Sequence, residues 1–306
     1  MIDVTTLPAP RLAEVGPRDG LQHEAAVVPT EAKVAFVDAL SESGVREISA
    51  GAFCSPPPAQ LADSSEVFEN MKRKEGVHYL ALVLDEKGLD LALEAEADKI
   101  EVFCAASETF SQKTTGAAIA QTLERLRPVV ARARAAKLPV RAGVGASFHC
   151  PYEGPVHPDS VAAMVERLRV MGVGEFSLAD TLGRASPQDV RALLEIMLRR
   201  LNVSPEQIFL HFHDTYGMAL ADALTAWTEY RISGFDASCG GVGGCPYAPG
   251  VGGNVATDDL AFAFLASGAP LRLDFQKLRA AGQALVPHLG HPLPSHLSKL
   301  EFKQPP

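Results

Sequence analysis

Short apolar runs and amphipathic stretches alternate along the whole chain, and this alternation restricts the possible fold more than any other feature. Short runs rich in β-branched residues predict strands, and longer stretches with a helical period predict helices. The predicted strands are Leu12–Gly16, Val45–Ala50, His78–Leu84, Lys99–Cys104, Pro139–Ala146, Glu175–Leu178, Gln207–His211 and Gly234–Cys239. The predicted helices are Thr30–Ser43, Pro58–Lys74, Glu86–Ala95, Ala118–Ala136, Pro158–Met171, Pro187–Arg200, Met218–Arg231 and Asp258–Ala266. Eight strand–helix units in succession predict a parallel sheet that closes into a (β/α)8 TIM barrel.

The chain has 306 residues, a length that such barrels commonly reach as one domain. We expect a single domain over residues 1–306, with the barrel core at about 10–268 and a short C-terminal helical extension at about 269–306. Within this extension Phe275–Leu285 is amphipathic, and the pattern leaves open whether it caps the barrel or supports oligomer contacts.

Charge and cysteine usage exclude several classes of partner. The net charge of −9 gives no electrostatic footprint for nucleic acid, and the basic run at 125–134 reads as a solvated helix face. The five cysteines are spread widely and include no C-x-x-C pair, which favours a reducing cytoplasm over a secreted disulfide framework. The first residues lack a secretory signal and no apolar run is long enough to span a bilayer, so we expect a cytoplasmic protein without membrane contact.

Two histidines at the end of the seventh predicted strand suggest a metal site. His211 and His213 are two positions apart, so both imidazoles face the same side of a strand. Asp19 follows the first strand and Asn254 lies after the glycine-rich segment, and both offer oxygen ligands at the carboxyl end of the barrel. This ligand set suits Mg²⁺ or Mn²⁺, with Zn²⁺ or Co²⁺ as alternatives. A hydrogen-bonded core residue is the competing interpretation for either histidine alone.

Arg18 stands beside Asp19 in the turn between the first strand and the first helix. A structural ion pair between the two is one interpretation. Pro17 and Gly20 favour another, because they predict a rigid, tight turn that fixes where the guanidinium points. A fixed guanidinium suits stabilisation of an enolate or carboxylate oxygen.

Seven glycines flank Cys245 within residues 240–253, after the eighth predicted strand. So many glycines leave the backbone without intrinsic rigidity, which is typical of a lid that closes over substrate. A thiol on such a lid can exchange a proton only when substrate is bound. The alternatives are a buried cysteine and a phosphate-binding loop, although neither nucleotide-binding glycine motif is present.

Three further polar residues lie near predicted strand ends. Asp180 begins a polar turn after the sixth strand, and we favour an active-site role for it. His149 follows the fifth strand and is expected to line the pocket. For Glu14 a functional role and the satisfaction of core donors are equally good interpretations.

These motifs resemble those of the 3-hydroxy-3-methylglutaryl-CoA lyase family, whose wider superfamily carries an Arg-Asp-Gly turn after the first strand. The resemblance runs from Val15 to about Asp259. It includes the strings Ala105-Ala106-Ser107-Glu108, Cys150-Pro151-Tyr152-Glu153-Gly154, Ser177-Leu178-Ala179-Asp180-Thr181, Gly243-Gly244-Cys245-Pro246-Tyr247-Ala248 and Gly253-Asn254. The lid string separates this family from the superfamily's synthases, which share only the Arg-Asp turn and the paired histidines.

The resemblance implies roles for individual residues. The metal ligands are Asp19, His211, His213 and Asn254, and the catalytic residues are Arg18, Cys245, Asp180 and His211. From their places near strand ends we also expect Arg18, Ser49, Ser177 and His149 to bind the substrate. The resemblance also implies a homodimer in leucine catabolism, a CoA thioester as substrate, and cleavage to acetyl-CoA and acetoacetate. His211 or Asp19 would take the hydroxyl proton, Arg18 would stabilise the enolate, and Cys245 would protonate it. Lys113 is a candidate for contact with the CoA nucleotide.

The chain departs from the family at two places on the catalytic face. The family carries a glutamate after its second strand where this chain has Ser49, and Leu-Gly where it has Phe148-His149. Serine cannot supply that charge, so the hypothesis is the same cleavage chemistry on a different 3-hydroxyacyl-CoA. A condensing enzyme or aldolase acting on a 2-oxo acid and a non-catalytic binding barrel are the alternatives.

Overall fold

Eight parallel strands form a closed barrel in the computed structural model, which describes residues 4–244 and 253–300. The barrel strands are β1 (Arg11–Glu14), β2 (Glu47–Phe53), β3 (His78–Val83), β4 (Lys99–Ala105), β5 (Val140–Gly145), β8 (Glu175–Asp180), β9 (Ile208–Phe212) and β10 (Gly234–Ala237). They follow one another around the barrel in chain order, and β10 pairs with β1 to close it. The predicted (β/α)8 fold is confirmed, and every predicted strand overlaps an observed one.

Between β5 and β8 the chain makes a small antiparallel hairpin of β6 (His149–Cys150) and β7 (Gly154–Pro155), which the sequence pattern did not indicate. Two-residue strands are too short to show alternation. The hairpin carries His149, just after the fifth barrel strand.

The helices of the described chain surround the barrel. They are α1 (Thr30–Glu42), α2 (Ser64–Asn70), α3 (Glu86–Glu94), α4 (Glu108–Thr115), α5 (Ile119–Ala135), α6 (Pro158–Met171), α7 (Pro187–Glu195), α8 (Ala219–Tyr230), α9 (Thr257–Ala266) and α10 (Phe275–Leu289). The predicted helix at 58–74 is wrong in extent, since a short 3-10 turn at Ala59–Leu61 precedes the two-turn α2. α4 was not predicted. It begins where the Ser107 hydroxyl accepts from the Phe110 backbone N–H, and it ends at Gly116 with a φ of 69°.

The main apolar core lies between the barrel and its helices. Trp227 of α8 is fully buried against Phe264 of α9, and its indole nitrogen donates to the Pro8 carbonyl oxygen at 2.8 Å. α10, which contains the predicted amphipathic segment Phe275–Leu285, packs against α1 on the outside of the barrel. Within the described chain, every helix is too short or too polar to traverse a lipid bilayer.

Charged side chains fill much of the barrel interior, where apolar layers are usual. Lys99 lies 2.7 Å from Glu175 and 3.1 Å from Glu47. Arg141 is 1% exposed, stacks over the Phe209 ring and lies 2.7 Å from Asp236. Removing one partner of a buried ion pair destabilises the folded state by about 3–5 kcal/mol, because it leaves a buried charge unpaired. The contacts between these charged side chains therefore make a charged interior compatible with folding.

Candidate active site and metal centre

A cavity of about 720 Å³ opens at the carboxyl ends of the barrel strands. Its floor includes Arg18, Asp19, His211 and His213, and one wall is apolar. The apolar wall contains Ala52, Leu82, Leu84, Phe103 and Phe110. The volume is in the range that ligand pockets commonly have, and the polar groups converge at its base.

Asp19, His211 and His213 meet at this floor. One ligand atom from each side chain lies within 4.8 Å of those of the other two. The Nε2 atom of His211 is 3.8 Å from Oδ2 of Asp19, and the two imidazole centroids are 5.3 Å apart. β9 ends between the histidines, so the period-2 geometry of a strand brings both rings to one side.

Asn254 completes the group from the far side of the glycine-rich segment. Its amide nitrogen donates to Oδ2 of Asp19 at 3.1 Å, and its backbone forms an isolated bridge with His213. The nearby loop needs a glycine at Gly243, where φ is 111° and a Cβ would lie 2.9 Å from the Gly20 Cα. This close approach brings the segment after β10 against the turn after β1.

The donor set fits a divalent cation. The side-chain oxygen of Asn254 and Nδ1 of His213 are buried, and neither atom has a hydrogen-bond partner among the described residues. Burial, and then the neighbouring His211, lowers the pKa of His213 to about 3, so its ring is neutral and has a free lone pair. Burial alone would raise the pKa of Asp19, but Arg18 and the two histidines hold it well below its usual range. A neutral imidazole and an ionised carboxylate are the forms that bind metals.

His211 is oriented by a network that the sequence interpretation did not identify. Its Nδ1 atom lies 3.5 Å from Oδ2 of Asp236, and that oxygen also accepts from the Ser177 hydroxyl at 2.6 Å. The other Asp236 oxygen accepts from Arg141 at 2.7 Å. Burial opposes protonation of His211, but its contact with Asp236 and the charge of Asp19 raise its pKa. A carboxylate behind a histidine fixes the ring and leaves its other nitrogen for a metal.

Arg18 lies beside this centre and contacts three side chains. Its guanidinium is 2.6 Å from Oδ1 of Asp19 and 2.9 Å from Oε1 of Glu101, and its Nε atom is 3.4 Å from the Ser49 hydroxyl. The predicted tight turn is a single π-helical turn, Gly16–Gly20, in which the backbone N–H groups of Arg18, Asp19 and Gly20 all donate to the Val15 carbonyl oxygen. The ion pair with Asp19 therefore exists, and Arg18 also lines the cavity.

The other residues predicted for the site fall in different places. Ser177 lines the cavity, whereas Asp180 and His149 are not among the described residues that line it. Oδ2 of Asp180 accepts from the Ala185 backbone N–H at 2.8 Å, and burial raises the pKa of its carboxyl. Cys245 lies outside the described residues, as do Gly250 and Gly252 of the predicted lid.

Glu14 accepts hydrogen bonds from buried donors, which supports a structural role for it over a functional one. It is fully buried, and its oxygens accept from the backbone of Gly16 and Cys239 and from the Thr257 hydroxyl. Burial raises the pKa of Glu14 to about 7. The side chain therefore ties the turn after β1 to the segment after β10 and is not part of the cavity lining within the described chain.

Several cavity residues were missed from the sequence, above all Glu101, Asp236 and Arg125. Arg125 of α5 lines the cavity together with Lys113, so one part of the basic helix is not simply a solvated face. Glu101 and Asp236 each stand alone between buried apolar neighbours in a strand. In a parallel barrel, which is buried on both faces, a lone charge in such a position is a signal for an interior ion pair.

Comparison with known proteins gives a consistent result over most of the chain. The HMGL-like family model matches residues 9–285. Mitochondrial hydroxymethylglutaryl-CoA lyase of Rattus norvegicus is 39% identical over 294 residues, covering 96% of this chain and 90% of the rat protein. The Bacillus subtilis HMG-CoA lyase structure has a TM-score of 0.92 at 39% identity, covering 96% of this chain and 99% of that one. The structure of an A. baumannii HMG-CoA lyase in complex with coenzyme A and 3-methylmalate has a TM-score of 0.90 at 35% identity, covering 96% of each chain.

Proposed function

The chain belongs to the HMGL-like family, and from that premise we propose that it is a divalent-metal-dependent carbon–carbon lyase that cleaves 3-hydroxy-3-methylglutaryl-CoA to acetyl-CoA and acetoacetate. The observation that carries the proposal is the meeting of Asp19, His211 and His213 at the floor of a cavity, with the buried Arg18 guanidinium beside them. The four ligands would be these three residues and Asn254.

A divalent cation bound there supplies Lewis acidity, which lowers the pKa of the substrate's 3-hydroxyl and polarises a neighbouring oxygen. Asp19 would accept the hydroxyl proton, since a His211 that ligates the cation through Nε2 and faces Asp236 through Nδ1 has no ring nitrogen left; His211 could be the base only if it did not hold the cation. The bond between C2 and C3 then breaks, C3 becomes the carbonyl of acetoacetate, and the electron pair passes to the acetyl-CoA enolate.

Arg18 would stabilise the enolate oxygen, because its guanidinium is held in place before substrate arrives. The Cys245 thiol would give its proton to the enolate carbon. Phe103, Leu82 and Leu84 offer apolar surface for the pantetheine arm or the acyl group. Lys113 and Arg125 would contact the CoA phosphates at the cavity mouth.

Finer properties are part of the same proposal. The nitrogen and oxygen donors favour Mg²⁺ or Mn²⁺, with Zn²⁺ or Co²⁺ as alternatives. The cysteines of the described chain are free thiols, which agrees with a cytoplasmic location. Family resemblance also supports a homodimer. Metal analysis, cell fractionation and sedimentation equilibrium test these points separately.

A different acyl group is the second candidate, and Ser49 with the apolar wall favours it. The test is a kcat/KM series with Mg²⁺ or Mn²⁺ in which 3-hydroxy-3-methylglutaryl-CoA is compared with other 3-hydroxyacyl-CoA esters. We expect release of acetyl-CoA and acetoacetate from the methylglutaryl ester, and its abolition by EDTA. A clear preference for another ester would establish the second candidate instead. Condensation of acetyl-CoA with a 2-oxo acid, or failure to bind metal and cleave any ester, would refute the lyase.

A further inference from the structure

The Arg18 guanidinium is held by a carboxylate from an unexpected strand. Glu101 projects from β4, and its Oε1 atom lies 2.9 Å from an Arg18 nitrogen. Both residues are buried, with 9% of each side chain exposed, and both line the cavity. A charged hydrogen bond between two buried groups fixes direction more strongly than an exposed ion pair does.

Ser49 of β2 touches the same guanidinium but carries no charge. Its hydroxyl lies 3.4 Å from the Arg18 Nε atom, and the side chain is buried. This is the position where the family resemblance implies a glutamate. The chain has no carboxylate at this position of β2, and Glu101 of β4 reaches the same arginine.

The barrel geometry explains how Glu101 reaches that far. Lys99 and Glu101 alternate with outward-facing residues and so both point inward. In the sheet register Glu101 of β4 pairs with Leu82 of β3, which in turn pairs with Ala52 of β2. The register of β2 shifts between Ser49 and Gly51, so Ser49 lies on the other side of this shift from Ala52. Gly143 on β5 lies beside the Glu101 carboxylate, where a Cβ would be 3.4 Å from Oε1.

We propose that Glu101 is the positioning residue for Arg18, replacing a carboxylate at position 49 as the group that aims the guanidinium at the reacting oxygen. The inference rests on the proposed lyase activity. It predicts that a carboxylate placed on β2 at position 49 restores most of the function lost with the carboxylate of Glu101. The alternative is that Glu101 only stabilises the barrel interior, because its Oε2 atom also lies 3.5 Å from Nε of Arg141.

The test compares Glu101→Gln with two double variants, Glu101→Gln/Ser49→Glu and Glu101→Gln/Ser49→Gln. Turnover of 3-hydroxy-3-methylglutaryl-CoA, or of a preferred ester, by the wild-type enzyme is measured first. If the wild type cleaves no ester, the lyase proposal fails, and the variants do not test the role of Glu101. Since misplacing a catalytic group by about 1 Å can cost about 100-fold, we expect Glu101→Gln to lower kcat by roughly 10- to 100-fold with little change in KM. Ser49→Glu should restore most of this loss, and Ser49→Gln should not.

Two further measurements separate positioning from structure. In an Arg18→Lys background Glu101→Gln should cause almost no additional loss of kcat. If Glu101 acts through Arg18, the effects of the two substitutions do not add. Glu47→Gln also removes a carboxylate that faces Arg141, and it should leave kcat near the wild-type value. If Glu101→Gln does not fold, as judged by circular dichroism, Glu101→Asp takes its place, since the shorter carboxylate cannot span to Arg18.

Three results would overturn the inference once wild-type activity is established. One is a Glu101 variant with wild-type kcat. Another is a loss that Ser49→Glu repairs no better than Ser49→Gln does. The third is a loss of the same size in the Arg18→Lys background, which would mean that Glu101 acts through Arg141 or through the fold.

Discussion

Asp236→Asn tests whether the carboxylate behind His211 tunes metal affinity. Asp236 is 3% exposed, lies 3.5 Å from Nδ1 of His211, and is held by Arg141 and Ser177. The substitution keeps the shape of the side chain but removes the charge that orients the ring. Loss of such an outer partner typically costs 10- to 100-fold in metal affinity, or about 1.4 to 2.7 kcal/mol at 25 °C.

Asp236→Asn also removes the ion pair with Arg141 in the barrel interior, so the free energy of unfolding is measured together with the metal affinity. Arg141 keeps Glu47 and Glu101, each at 3.5 Å. The free energy of unfolding should therefore fall by less than the about 3–5 kcal/mol that a broken isolated buried pair costs. Urea denaturation of the metal-free protein measures this loss.

Isothermal titration with Mn²⁺ at fixed pH measures the affinity directly. The matched control is Glu47→Gln, which removes another carboxylate facing Arg141 and has no contact with His211 among the described interactions. We expect Asp236→Asn to bind Mn²⁺ about 10- to 100-fold more weakly and Glu47→Gln to bind like the wild type. Equal Mn²⁺ affinity in all three proteins, or equal weakening in both variants, would refute the reasoning.

Two further predictions concern stability. Asp222 is 1% exposed, and within the described chain neither of its carboxylate oxygens has a hydrogen-bond partner. Burial, and then the charges of Asp180, Asp189 and Asp214, raise its pKa to about 8. Since the folded pKa exceeds the ordinary value of 3.8, its contribution to stability is full below about pH 3.8 and is lost as pH rises towards 8. Asp222→Asn should therefore gain unfolding free energy over the wild type between pH 4 and 8, by at most about 1.4 kcal/mol per pH unit in urea titrations, and parallel pH profiles would contradict this. Gly88→Ala should lower the free energy of unfolding by about 1–3 kcal/mol despite the better helix propensity of alanine, because a Cβ there would clash with the Phe53 carbonyl oxygen. An unchanged or raised Tm would show that β2 and α3 can move apart without cost.

Periodicity was sufficient for the barrel, because strand and helix periods are local properties of the chain. Each predicted strand overlaps an observed one, and helices such as Pro158–Met171 have the predicted bounds. Local signals failed where elements are short. α4 is an eight-residue polar segment, and the chain at 58–74 divides because Ser64 turns back to bond the backbone of Leu61 and Ala52.

Part of the site could be predicted from the sequence. Asp19, His211 and His213 lie at predicted strand ends, and the two histidines are two positions apart, which together indicate a metal site without knowledge of the structure. Glu101 and Asp236 give no such indication, because their meaning depends on partners 83 and 59 residues away in the chain. The departure at Ser49 suggested a changed substrate, and only the three-dimensional arrangement revealed a second carboxylate beside Arg18.

The proposed chemistry requires one divalent cation between the turn after β1 and the end of β9. Crystals soaked in MnCl₂ and measured at the manganese absorption edge locate such a cation. We expect one strong anomalous peak within coordination distance of Asp19, His211 and His213, with the Asn254 oxygen turned towards it. No peak at these side chains, or a peak held by other residues, would mean that this site does not bind the cation.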